Sequence, residues 1–271
     1  MSYATGNASA SDVENCRYGG SRLSVRGPER PLDQPYLAFL GSTEVYGRFI
    51  DTPFPEDVEK LLGIPCVNFA AVNGGLDSYF FDATLRDAAA NADVAIVQVM
   101  GAQNLSNEFF KVHPRRNDRF LCAHPQLLAL FPEVDFTEFH FNRHLLSHLA
   151  GLDPERFMVL QKHLQDTWVT RMREMVRGFA GEVVLLWLRY SLNLSGSFAQ
   201  EPVLVTQEMV GTLCAEVTDV IELDVATAGE ADDVAGMAVE PQDLQSAQLM
   251  LGPREQHRIA CSVAERLQVV I

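Results

Sequence analysis

Five short apolar runs, separated by longer segments with a helical pattern, constrain the fold of this chain more than any other feature. The runs read YLAFL, CVNFA, VAIVQVM, VVLLWL and VIELDV, at residues 36–40, 66–70, 94–100, 183–188 and 220–225. Continuous apolar runs of this length are typical of strands buried on both faces of a sheet. Because helical segments join them, we expect the strands to run parallel, with helices covering both faces. The sequence therefore predicts a three-layer α/β/α fold around a central five-stranded parallel sheet.

Helical patterns occupy the intervals between these runs. The main segments are residues 56–63, 78–92, 153–179, 206–217 and 252–267. Leu62 is followed by Gly63, and Phe179 is followed shortly by Gly181, an arrangement typical of helix ends. The chain has 271 residues, of which 47% are hydrophobic, and this is enough to fill a core of the predicted size.

Two segments interrupt the alternation. Residues 1–34 are rich in Gly, Ser, Asn and Arg without a period, which predicts an N-terminal arm with little regular structure. Residues 35–271 are then expected to form the α/β domain. Within it, residues 101 to about 152 form an excursion after the third strand, and we interpret this excursion as an inserted helical cap. Loops at the carboxyl ends of parallel strands build the ligand sites of open α/β sheets, so the cap is expected to cover such a site.

Charge and cysteine usage narrow the classes of partner. A net charge of −15 and a pI near 4.8 argue against nucleic acid, because that binding depends on Lys and Arg at the phosphates. The five cysteines are scattered and form no C-x-x-C, which favours reduced thiols in the cytoplasm. No segment has the pattern of a signal peptide or of a membrane span. We expect a small-molecule or carbohydrate substrate, no cofactor, no metal and no membrane partner, and leave a homo-oligomer open.

Four sequence blocks follow the first three strands and close the chain. They read GSTEVYG at 41–47, NFAAVNGG at 68–75, VQVMGAQN at 97–104 and GPREQHRIACSVAERL at 252–267. In this order they resemble the signature blocks of SGNH (GDSL-type) hydrolases. The resemblance implies a flavodoxin-like fold and hydrolysis or transfer of an acyl group. The stretches GSTEVYGRF, MGAQNLSN and VHPRRNDRF also resemble an alphaproteobacterial family of unknown function, and that resemblance implies no activity.

The first block holds the candidate nucleophiles. The resemblance places the nucleophilic serine of SGNH hydrolases at Thr43 and the aspartate of their motif at Ser42, so either hydroxyl is a candidate. A hydroxyl of this kind is a weak nucleophile unless a base activates it. Two other interpretations stay open: a tight turn whose hydroxyls cap a helix, and a loop that binds ligand without hydrolysing it.

The second and third blocks hold the candidate oxyanion donors. By the same resemblance, the glycine whose N–H group helps to form the oxyanion hole falls at Gly74 or Gly75. The asparagine that donates to the same oxyanion corresponds to Asn104 or Gln103. Backbone N–H groups and side-chain amides are the donors that this chemistry uses.

The fourth block lacks the base that the resemblance implies. The aspartate and histidine of the family's D-x-x-H correspond to Ala247 and Met250, and His257 falls inside the last helix. The inserted cap is therefore the expected source of an imidazole.

Histidines of the insertion are the candidate bases. His140, His144 and His148 recur every four residues, so on a helix they form one stripe along its polar edge. His113 lies earlier in the same insertion. We take His113, His140 and His144 as candidate bases; the alternatives are histidines at the surface or a metal site built on the stripe.

Polar residues beside these blocks are the candidates for substrate contacts. They are Glu44 in the first loop, Asn73 in the second, and Gln103 and Asn107 in GAQNLSN. Buried amide side chains need definite partners, which can be loop backbone or substrate.

Three arginines, Arg115, Arg116 and Arg119, are concentrated in the stretch HPRRNDR of an otherwise acidic chain. Guanidinium groups bind carboxylate, phosphate or sulfate in bidentate fashion. The arginines are therefore candidates for an anionic ligand, or for ion pairs with the many carboxylates of this chain or of a neighbouring subunit.

These features lead to two hypotheses of different class. The first is an SGNH-like ester hydrolase or acyltransferase that acts on an acylated substrate, with carbohydrates among the candidates. The alternative is a catalytically inactive protein of SGNH shape that binds an anionic ligand or a protein partner through Arg115, Arg116 and Arg119.

Overall fold

The computed structural model describes residues 14–192 and 198–271. Its strands are β1 (Asn15–Cys16), β2 (Val25–Arg26), β3 (Leu37–Leu40), β4 (Cys66–Asn68), β5 (Val94–Gln98), β6 (Phe110–Val112), β7 (Phe120–Ala123), β8 (Glu182–Ser191), β9 (Gln200–Glu201) and β10 (Asp219–Asp224). The order in the main sheet is β10-β8-β5-β3-β4, and each neighbouring pair is parallel. β9 pairs antiparallel with the end of β8, so the sheet has six strands and is mixed. The α/β class is confirmed, whereas a sheet of five parallel strands alone is not.

The helices are α1 (Thr43–Tyr46), α2 (Phe54–Leu62), α3 (Leu76–Phe80), α4 (Ala83–Ala90), α5 (Pro125–Leu130), α6 (Asn142–Leu152), α7 (Pro154–Arg177), α8 (Gln207–Gly211), α9 (Leu244–Ala247) and α10 (Pro253–Val270). Short 3₁₀ turns lie at Ala102–Asn104, Phe136–Glu138 and Pro241–Asp243. Gly63 ends α2 with a left-handed φ of 70°, as its place after Leu62 predicts. The helix predicted at 78–92 is divided between α3 and α4. Within the part of the chain described, no helix is both long and apolar enough to cross a bilayer.

Helices cover both faces of the main sheet because successive strand residues point to opposite sides. In β3, Ala38 and Leu40 pack in one core with α3, α4, α7 and α8. Leu37 and Phe39 pack in a second core with α1, α2 and α10. Both faces of each central strand are therefore apolar, which explains the continuous hydrophobic runs in the sequence.

Residues 14–34 have little regular structure beyond the two-residue strands β1 and β2, but they pack closely on the domain; residues 1–13 lie outside the part described. β1 and β2 pair antiparallel, and Tyr18, Leu23 and Val25 are buried in the first core. The buried Arg26 donates hydrogen bonds to the carbonyl groups of Tyr46, Gly47, Ile50 and Asp51. The arm therefore supports the loop that follows α1.

The insertion at 101–152 is not purely helical. β6 and β7 form an antiparallel hairpin, and α5 and α6 follow it. A separate core holds the insertion together with the start of α7, because most of its aromatic side chains are buried there: Phe110, Phe120, Phe131, Phe136 and Phe139. Phe141, by contrast, is exposed.

Candidate active site

A cavity of about 640 Å³ opens at the carboxyl ends of β3, β5 and β8. Its walls include the turns after these strands, and the insertion adds Asp118, Phe141, Arg143, His144 and Ser147. This is the edge of a parallel sheet at which ligands bind in α/β proteins. The position of the cavity therefore agrees with the predicted site.

The turn from β3 into α1 presents Ser42 to the cavity. The Ser42 N–H donates to Gln98 Oε1 at 2.8 Å, which ties the turn to the end of β5. A Cβ on Gly41 would come within 2.3 Å of Val45 Cγ2 and 2.6 Å of Gln98 Oε1, so this close approach requires glycine. The Ser42 hydroxyl lines the cavity and has no hydrogen-bond partner among the residues described.

Thr43 also lines the cavity, but its hydroxyl is engaged. Thr43 is buried, and its Oγ1 accepts a hydrogen bond from the Asn73 N–H at 3.0 Å. The same hydroxyl donates to Asn73 Oδ1 at 3.4 Å. Of the two candidate nucleophiles, Ser42 is therefore the accessible one. The Thr43 hydroxyl is held by its two hydrogen bonds with Asn73.

The backbone N–H groups of both glycines predicted as oxyanion donors are already hydrogen-bonded. Gly74 N–H donates to Ala71 O at 3.0 Å and closes a turn, so it is not available to an oxyanion. Gly75 N–H donates to Asn117 Oδ1 at 3.0 Å. These contacts contradict the role predicted for Gly74, because forming the turn uses its only backbone donor.

The amide side chains of the third block remain candidate donors. Asn104 lines the cavity, and its Oδ1 accepts from Asn142 Nδ2 at 2.9 Å. Asn104 Nδ2 has no acceptor among the described residues. Gln103 also lines the cavity; it is buried, and its Oε1 has no partner there.

The histidines divide between the cavity and the surface. All seven lie in the described part of the chain, and among them His144 alone lines the cavity. His113 Nδ1 accepts from the backbone N–H groups of Arg115 and Arg116, at 3.3 and 3.1 Å, so His113 closes a surface turn. His140 is exposed and lines no part of the cavity. The structure thus does not bring His113 or His140 to the hydroxyls, and no described histidine hydrogen-bonds to Ser42 or Thr43.

The remaining members of the histidine stripe form no metal site. The rings of His144 and His148 pack against Phe139, with centroids 4.9 and 5.2 Å apart from it. No group of three or more metal-ligating side chains occurs within residues 14–192 and 198–271.

The arginine cluster and Asn107 do not themselves line the cavity. Arg115 and Arg116 are exposed and form no ion pair within the described residues, and Arg119 stacks on Phe141 with 4.6 Å between its guanidinium carbon and the ring centroid. Asn107 Oδ1 accepts from the N–H groups of Phe109 and Phe110, so this amide closes a local turn. A substrate contact by these four residues stays a prediction.

A cluster of charged and hydrogen-bonded side chains beside Glu44 also lines the cavity, and most of it was not predicted from the sequence. Glu44 accepts from Tyr190 OH at 2.5 Å and from Gln98 Nε2 at 3.0 Å. Arg143 in α6 forms an ion pair with Glu201 in β9. Burial raises the pKa of Glu201 to about 7, against the opposing effect of Arg143. Of this cluster the sequence analysis identified only Glu44.

Met250 lies in the cavity wall, close to the first turn of α10. The position that the SGNH resemblance aligns with the family's histidine therefore holds a methionine in this wall.

Comparisons with known proteins identify a family whose description names no activity. A search of curated proteins found no match. A sequence-family profile described as "Domain of unknown function (DUF6473)" matches residues 1–271. The chain therefore belongs to the DUF6473 family.

Proposed function

We propose that the protein is an SGNH-like ester hydrolase or acyltransferase with a flavodoxin-like domain, capped by the insertion at 101–152. The observation that carries this proposal is Ser42, which lines a cavity at the carboxyl end of β3 and whose hydroxyl has no hydrogen-bond partner among the described residues. Asn104 lines the same cavity with its Nδ2 available as a donor. A hydroxyl and an amide donor in one cavity are two of the three parts that acyl transfer needs.

His144 supplies the third part. His144 lines the same cavity as Ser42, and its ring packs against Phe139 without a hydrogen bond to any described residue, which leaves its nitrogens available to act as the base. In the reaction, Ser42 Oγ attacks the carbonyl carbon of the ester and its proton passes to His144. The C–O bond to the leaving alcohol breaks, and the alcohol takes that proton. Water, or an acceptor alcohol, then releases the acyl group by the reverse sequence.

The substrate class is an acylated small molecule, with carbohydrate esters included. The cavity wall combines apolar side chains such as Met100, Leu188 and Met250 with polar ones such as Glu44 and Gln103, which suits an acyl group joined to a polar alcohol. A cytoplasmic location is part of the proposal and is supported by five cysteines that are all free.

Turnover of a short ester such as p-nitrophenyl acetate tests the proposal. Replacing Ser42 by Ala is expected to lower kcat/KM by roughly 10³-fold or more, because the nucleophile is lost. Thr43→Ser is the matched control: it keeps the hydroxyl that accepts from Asn73 N–H and is expected to retain most activity. Turnover that survives replacement of both Ser42 and Thr43 by Ala would exclude both hydroxyls.

A second candidate function rests on a different observation. Arg115 and Arg116 are exposed in an acidic protein and form no ion pair within the described residues, which favours an anionic ligand or partner at this surface. A non-catalytic protein of SGNH shape would then show a rise in Tm with phosphate or sulfate, and Arg116→Ala would remove the rise. An unchanged Tm with both anions would count against this function.

A further inference from the structure

Within the insertion, the side chain of Asn142 connects the backbone of Asn117 to the side chain of Asn104, which lines the cavity. Asn142 is the first residue of α6 and is completely buried. Its Nδ2 donates to the backbone carbonyl of Asn117 at 2.5 Å and to Asn104 Oδ1 at 2.9 Å. The Asn142 backbone N–H donates to Asp118 O at 3.0 Å. Both ends of this residue are therefore held by the insertion, and its side chain reaches the cavity wall.

The partners of Asn142 determine which way the Asn104 amide faces. The oxygen and nitrogen of an amide have nearly the same shape, so their assignment depends on the hydrogen-bond network. A backbone carbonyl can only accept, so Asn142 must present its Nδ2 to Asn117 O. The second hydrogen of the same Nδ2 faces Asn104, which must therefore present its Oδ1. Asn104 Nδ2 is left as the end of the amide with no partner in the described chain.

We propose that Asn142 is a positioning residue that holds the Asn104 amide with its Nδ2 donor toward the cavity, where it receives the carbonyl oxygen of the acyl substrate. This inference rests on the proposed function and assigns part of the active site to the inserted segment. The insertion thus not only covers the cavity but also fixes the direction of a donor at the end of β5.

Asparagine at position 142 lowers the stability of the fold, and the proposal gives a reason for its presence there. Asn142 Oδ1 is buried and has no partner among the described residues, and an unpaired buried acceptor destabilises a fold. An apolar side chain would avoid this cost. It could not donate to Asn117 O and Asn104 Oδ1 at once, which are the two contacts that fix the Asn104 amide.

The decisive variant is Asn142→Asp, because a carboxylate accepts and cannot donate. Asn104 would then turn its Nδ2 toward residue 142 and present Oδ1 to the cavity. We expect kcat for the short ester to fall on the order of 10²-fold, as when an oxyanion donor is removed, with KM within about threefold. Asn142→Ala leaves the amide free to adopt both directions, so its kcat is expected to lie between wild type and Asn142→Asp.

A double variant separates positioning from a general structural effect. If Asn142 acts through Asn104, adding Asn142→Asp to Asn104→Ala causes no further loss of kcat. If the losses of kcat caused by Asn142→Asp and Asn104→Ala multiply in the double variant, the inference is overturned. Full activity of both Asn142→Asp and Asn142→Ala would also overturn it. Asn107→Asp is the matched control, since that amide also closes a turn of the insertion but lies outside the cavity, and its kcat should stay near wild type.

A readout without activity separates this inference from the proposed function. The side-chain NH₂ group of Asn104, followed by ¹⁵N NMR, is expected to exchange rapidly with solvent in the wild type and to become protected in Asn142→Asp. Protection already present in the wild type would overturn the inference. If the expected exchange is seen but no ester is turned over, the amide direction stands and the hydrolase proposal fails. Should Asn142→Asp not fold, the kcat of Asn142→Ala keeps the inference testable, because it is expected to lie below that of the wild type.

Discussion

The turn at the end of β3 and the insertion at 101–152 meet at one cavity, but different contacts hold them in place. The turn is fixed by neighbours in the sheet: Gly41 allows a close approach, and the Ser42 N–H bonds to Gln98. The insertion has its own apolar core, and its junction with α3 is fixed by a buried side-chain amide that bonds to several groups far away in the sequence. Asn117 Oδ1 accepts from Gly75 N, Ser78 N and Ser78 Oγ.

This difference determines which kinds of substitution each of the two regions can accommodate. A turn specified by close packing depends on volume, whereas a junction specified by amides depends on the number of hydrogen bonds it satisfies. Substitutions in the two regions should therefore lower the free energy of unfolding for different physical reasons and by different amounts.

The largest effect on stability is expected for Asn117→Ala, which breaks the junction between the insertion and α3. Asn117 is fully buried, and its loss leaves the N–H groups of Gly75 and Ser78 without their acceptor. Each unsatisfied buried donor costs about 1–3 kcal/mol, so the free energy of unfolding should fall by roughly 3 kcal/mol. Urea denaturation measures this change. Asn107→Ala, which loses bonds only within a local turn, should cost less; an equal loss would remove the distinction between the two amides.

A pH-dependent effect of similar size is expected at the ion pair that joins α6 to β9. Arg143, Glu44 and the Val203 N–H surround Glu201, and burial outweighs the cation in raising its pKa to about 7. The folded state then binds this proton more tightly than the unfolded state, whose glutamate has a pKa near 4.5. The stabilising contribution is complete below pH 4.5 and is lost as the pH rises to about 7.

The matched comparison is Glu201→Gln, which cannot titrate. Between pH 5 and pH 8, the wild type should lose stability relative to this variant by up to about 3 kcal/mol. The constant cost of leaving Arg143 unpaired cancels from the change with pH. Unfolding free energies that differ by the same amount at every pH would show that burial does not govern Glu201.

The contrast between the regions also separates what the sequence predicts from what it does not. The central strands could be predicted from short apolar runs, and the end of α2 could be predicted from Gly63 directly after Leu62. The first turn and Asn104 follow from their places after strands. The sequence analysis missed Arg143, Tyr190 and Glu201, because they meet only when α6, β8 and β9 come together. For Gly74 the reason is local instead: its N–H is used by a turn whose geometry the residue types alone do not specify.

The smallest effects are expected from two glycines that differ in the space around them, one in each region. At Gly41 an added Cβ would overlap Val45 and Gln98, so Gly41→Ala should lower the free energy of unfolding by about 1–3 kcal/mol and displace Ser42. At Gly151 in α6 nothing lies within 4 Å of the added Cβ, and alanine favours a helix over glycine by up to about 1 kcal/mol. Gly151→Ala should therefore leave stability unchanged or raise it slightly, as thermal denaturation would show. The same substitution thus tests both regions, and a loss at Gly151 as large as that at Gly41 would mean that packing, and not amide bonding alone, also restricts the insertion.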